Sequence, residues 1–70
     1  MNEESLNLSI RKFLKQFGVG AQREIEHAVE EAIRTGKLKG TETIPAIATL
    51  RVPQLDLEFS IESPITLAGS

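Results

Sequence analysis

The sequence predicts an α+β fold: two N-terminal helices packed on one face of a C-terminal antiparallel β-hairpin, with an optional short third strand. Three observations carry this expectation. Apolar residues recur at helical spacing through the first half, the repeat changes to alternation after Gly40, and the alternation is interrupted at Pro53-Gln54. Seventy residues, 40% of them apolar, make a single small domain over residues 1–70. A chain of this size buries only about 60% of its unfolded surface. It has no Cys, so neither a disulfide nor a thiolate metal site compensates. Completion of the core by a second copy is therefore an expectation from the outset.

The first helix is expected to start at Asn2, whose side chain suits an N-cap, with Glu3 and Glu4 favoured by the dipole in the first turn. Leu6, Ile10, Phe13, Leu14 and Phe17 fall within about 100° of arc at helical pitch. Gly18 reads as a left-handed stop, with Val19 folding back on Leu14. A second helix then starts at Gly20 or Ala21 and buries Ile25, Ala28, Val29, Ala32 and Ile33, ending at Gly36. Glu30 and Arg34 are spaced for an ion pair across one turn.

Past Gly40 the period is two. Ile44, Ala46, Ala48, Leu50 and Val52 share one face, as do Leu55, Leu57, Phe59 and Ile61. A turn centred on Pro53-Gln54 sets Leu50 opposite Leu57, Ala48 opposite Phe59, and Arg51 opposite Asp56. A four-residue loop around a type I turn fits Pro53 better than a type I′ turn does. Ser63-Pro64 is expected to break the strand, Ile65-Thr66-Leu67 to return as the short third strand, and Ala68-Gly69-Ser70 to fray. Leu57 and Phe59 are placed at the centre of the core, where truncation to Ala costs about 2–5 kcal/mol.

The formal charge is −2, unevenly spread: residues 1–40 carry seven basic and six acidic groups, residues 41–70 one and four. That acidic second half argues against wrapping nucleic acid. No apolar run is long enough to span a bilayer, and Met1-Asn2-Glu3-Glu4 does not read as a secretory signal, so a cytoplasmic protein is expected.

Chemistry has little to stand on. His27 is the only imidazole and sits on the polar face, where Glu31 at one turn's distance gives two ligands and no metal site. No Ser has the neighbours of a nucleophile, and Asp56 and Glu58 on a solvated strand face lack the burial that shifts a pKa. The expectation is no enzyme, no catalytic residue, no metal and no cofactor.

Two surface features remain. Leu8 points away from the stripe among Arg11, Lys12 and Lys15, and Ile47 points outward on its strand; together they form a candidate contact patch for an unknown protein partner or a second copy. Phe17-Gly18-Val19-Gly20 resembles the Gly-hydrophobic-Gly turn of helix-hairpin-helix modules. That likeness makes Gly18, Gly20, Lys15 and Arg23 candidate phosphate contacts. Lys37 and Lys39, between Gly36 and Gly40, read as complements to the negative end of the second helix rather than as an anion loop. The favoured function is a non-enzymatic protein-interaction module able to self-associate; weak phosphate-backbone binding at the glycine turn is the alternative.

The chain also resembles a group of short bacterial proteins of about seventy residues, classed as a domain of unknown function. Ser9-Ile10-Arg11-Lys12-Phe13-Leu14-Lys15, Gly18-Val19 and Gln22-Arg23-Glu24-Ile25-Glu26 carry the likeness, with Gly36-Lys37-Leu38-Lys39-Gly40 and Leu55-Asp56-Leu57. The resemblance implies a bacterial, cytosolic origin and brings no activity, cofactor or site residue.

Overall fold

A computed structural model describes residues 1–69, which form two compact units divided after Lys37. The first is one α-helix, α1 (Glu3–Arg34), of 32 residues. The second is a two-stranded antiparallel sheet of β1 (Thr43–Val52) and β2 (Leu57–Thr66), joined by a 3₁₀ turn over Pro53–Leu55. The chain is thus α+β with a single helix, and the expected pair of helices is corrected: Gly18-Val19-Gly20 is helical throughout.

The physical reason lies in the stripe. Phe17, Ala21 and Ile25 follow one another at four-residue steps, so the apolar face crosses the glycines in phase. Stopping and restarting there would leave four carbonyls and four N–H groups without helical partners. Continuing costs about 1 kcal/mol per glycine relative to Ala. Neither Gly18 nor Gly20 takes a positive φ.

Both true ends of α1 were readable. The Asn2 side chain accepts from the Ser5 N–H at 3.0 Å, and Glu3 and Glu4 occupy the first turn. At the other end Gly36 has φ +81°, Lys37 N–H donates to the Ala32 carbonyl at 2.8 Å and Gly36 N–H to Ile33 at 3.1 Å. These two bonds are the Schellman ending that was expected at Gly18.

The hairpin keeps the predicted parity and shifts the register by one residue on each strand. Leu50 pairs with Phe59, Ala48 with Ile61 and Val52 with Leu57, while Arg51 faces Glu58 rather than Asp56. The loop decides the shift. Its last residue is left-handed, and Asp56 takes that place at φ 50°. The expected register would have put Leu55 there, whose bulk is far less tolerant of positive φ. Leu55 is instead an exposed turn residue.

Pro64 does not break β2, and Ile65-Thr66 continues the same strand, so the described residues contain no third strand. Ser70, the last residue of the segment expected to fray, lies outside them. Pro64 stands directly opposite Pro45. The bond from Leu67 N–H to the Glu42 carbonyl marks even-numbered β1 positions as the bonded pairs. Both prolines therefore occupy a non-bonded pair, and each removes an N–H that would otherwise point out of a sheet edge. That arrangement blunts both edges at one level against strand addition. Pro45→Thr with Pro64→Thr is expected to leave the hairpin register intact while raising aggregation, as measured by turbidity. A double variant as soluble as the parent would contradict this role.

One sheet face carries Ile44, Ala46, Ala48, Leu50, Val52, Leu57, Phe59 and Ile61; the other carries Thr49 and Ser60, whose hydroxyls lie 2.9 Å apart. Leu57 and Phe59 are 43% and 56% exposed, so their expected place at a core centre is corrected. A two-stranded sheet cannot cover its own face.

Candidate interaction surface

The stripe of α1 runs from Leu6 through Ile10, Phe13, Leu14, Phe17, Ala21 and Ile25 to Ala32. Only Ala21, Val29 and Ala32 on this helix are half-buried, and Phe17 is 51% exposed. Charge along the helix is segregated. Between Ser5 and Ala21 the charged groups are Arg11, Lys12 and Lys15; from Gln22 to Ile33 they are Glu24, Glu26, Glu30 and Glu31 with Arg23.

Leu8 is 59% exposed and shares its helix face with Arg11, Lys12 and Lys15, as the sequence suggested. Ile47, 70% exposed, stands on the polar face of the hairpin, in the other unit. The four phosphate-contact candidates fare differently. Gly18 and Gly20 lie mid-helix, where backbone N–H groups bond to carbonyls one turn back, so the turn that would present them to a phosphate is not formed. Lys15 and Arg23 sit two turns apart on that continuous helix.

Arg34 pairs with Glu31 rather than Glu30, its Nε donating to the carboxylate at 3.0 Å. That hydrogen bond lowers the Glu31 pKa. The same Glu31 was the second ligand of the weighed His27 pair. Among the described residues no three His, Cys, Asp or Glu side chains converge on a point where a metal ion could sit. The depressions on the hairpin, one over Thr43, Pro45 and Glu62 and one over Arg51, Asp56 and Glu58, are open to solvent.

Sequence reasoning missed Glu42. Its carboxylate accepts from Lys39 N–H at 2.9 Å, Gly40 N–H at 2.9 Å and Thr41 N–H at 3.1 Å. Gly40, at φ 103°, turns the backbone so that the three donors converge. The anion held by the Gly36–Gly40 loop is thus the chain's own side chain. Its pKa falls below the ordinary carboxylate value, chiefly through the bond from Lys39 and then that from Gly40. A folded pKa below the unfolded one stabilises the loop above the unfolded value, and the gain disappears as pH falls through the folded value. Titration followed by NMR is expected to give Glu42 a midpoint below the other glutamates, with the amides of Lys39, Gly40 and Thr41 moving together. A midpoint at the ordinary value would contradict the nest. The readable signal was the spacing Gly36…Gly40 with an acid two residues on.

No helix among the described residues is long and apolar enough to cross a membrane. Comparison with curated proteins and with solved structures returns no match. A family model does match, over residues 1–68 of the chain. The likeness noted from short segments of sequence therefore extends along nearly the whole molecule, and the chain belongs to the family of unknown function DUF6494.

Proposed function

We propose that this chain is a non-enzymatic protein-interaction module of the cytosol that associates with itself through the apolar stripe of α1. The observation that carries the reading is that stripe: a 32-residue amphipathic helix lays out Leu, Ile and Phe side chains that it cannot bury within itself. Isolated helices are marginal in water even with good propensity, and most helical stability comes from packing the apolar face. Contiguous apolar surface of this kind marks contact sites. The blunted edges of the hairpin leave strand addition as the less favourable route.

Sedimentation of the full chain from micromolar to millimolar concentration tests this. The expected result is a species at a multiple of 7.7 kDa that dissociates on dilution. Monomer throughout that range would contradict self-association.

A further inference from the structure

We infer that the partner of α1 is the α1 of a second copy, laid antiparallel across it and centred on Val19. The inference rests on the self-association proposed above and goes further by fixing orientation and register. The stripe's spacing supports it first. Leu6, Ile10, Phe13, Phe17, Ala21, Ile25, Ala28 and Ala32 are separated by steps of four and three whose order reads the same from either end. An antiparallel copy centred on Val19 therefore sets each of these eight residues level with another of them. Stripe positions 6, 17 and 28, and likewise 10, 21 and 32, recur every eleven residues, the period of a helix pair that coils only slightly and right-handed.

Size supports it second. The N-terminal half of the stripe is bulky and the C-terminal half is rich in Ala. In this register Leu6 meets the partner's Ala32, Ile10 the partner's Ala28, and Phe17 the partner's Ala21. Phe13 is level with the partner's Ile25, with Leu14 one residue beyond. Leu6, Ile10 and Phe17 thus each fill the space over an Ala, as close packing requires. A parallel pair would crowd Phe17 against Phe17 and leave Ala32 over Ala32.

Charge supports it third. Antiparallel two-fold pairing brings a given flank of one helix against the same flank of the other. Arg11 and Glu26 lie to the same side of the stripe, about 100° and about 160° from its centre at helical pitch, and they fall within one residue of the same level. Lys12 falls level with the partner's Glu26, and Lys15 within one residue of the level of the partner's Glu24. Arg23 points to the far side. A parallel pair would set Arg11, Lys12 and Lys15 against their own copies, and the four glutamates likewise.

Two measurements on the full chain decide the matter. The first uses spin labels on single introduced Cys residues, which are unique because the chain has none. Labels at Val19, on the outer face of each helix at the centre, are expected to lie about 20 Å apart, two helix diameters of about 10 Å, whereas labels at Ser5 lie about 42 Å apart along the axis, twice the 14-residue offset from the centre at 1.5 Å per residue. The second uses Arg11→Glu and Glu26→Arg. Each alone is expected to weaken association by about tenfold, and a mixture of the two to restore it, because every cross-pair in the mixed dimer is again opposite in sign. An assembly with Ser5 labels close together, or one indifferent to the charge variants, would overturn this orientation while leaving self-association standing. Monomer throughout would overturn both.

Discussion

Replacing Gly20 with Pro is expected to remove much of the helical signal of α1 and to cost about 3 kcal/mol or more. In a continuous helix the Gly20 N–H bonds to the Gln16 carbonyl, and Pro deletes that donor while its ring presses on the same carbonyl. The opposite holds for a pair of helices joined at Gly18-Val19. Position 20 would then be the first residue of a second helix, where Pro is favoured because its N–H is already without a partner. One substitution therefore has opposite signs in the two architectures. Gly20→Ala provides the converse. A Cβ at this position meets nothing within 4 Å, so Ala is expected to gain about 1 kcal/mol of helix stability. Circular dichroism during thermal unfolding reads both changes. A Pro variant as helical as the parent would contradict the single helix.

The second large effect is expected at Phe17. Phe17→Glu places a carboxylate in the middle of the stripe and is expected to weaken self-association by at least about thirtyfold, the equivalent of losing a central aromatic anchor worth about 2 kcal/mol. The side chain is half exposed on the helix, so the same change is expected to leave the helicity of the separated chain nearly unaltered. Leu8→Glu is the matched control, because Leu8 lies on the opposite face among Arg11, Lys12 and Lys15. Sedimentation of both variants separates the surfaces. Dissociation by Leu8→Glu and not by Phe17→Glu would place the contact on the basic face and remove the stripe from the account.

Much of the fold could be read before any coordinates, and the misreadings share a cause. Asn2 as cap, Gly36 as stop, the change of period near Gly40 and the parity of the hairpin each depend on neighbours close in sequence, and each stands in the structure. Gly18 carries the same local signal as Gly36. What separates them lies further along: after Gly18 the stripe resumes in phase at Ala21 and Ile25, whereas after Gly36 no apolar repeat of helical period follows. Propensity at one residue lost to continuity over thirty. The register shift came from Asp56, whose tolerance of positive φ outweighs the better apolar matching of the alternative pairing. Pro64 read as a breaker because its partner was not in view; opposite Pro45 in a non-bonded pair it removes no ladder bond. Of the surface features, the face around Leu8 was visible from helical spacing alone. The palindromic stripe was hidden by dividing it at Gly18, and the Glu42 nest left in the sequence only the spacing of Gly36 and Gly40 with an acid two residues on, its converging donors depending on the positive φ of Gly40.

Continuity of α1 through Gly18-Val19-Gly20 underlies the stripe, its register and the loss of the glycine turn. The most direct test is a distance between spin labels at Ser9→Cys and Glu30→Cys in one chain, diluted with unlabelled protein so that only the intramolecular separation is seen. An unbroken helix predicts about 32 Å, from 21 residues at 1.5 Å each. A separation near about 10 Å, the spacing of two packed helices, would show the chain turning back on itself at the glycines and would contradict the account.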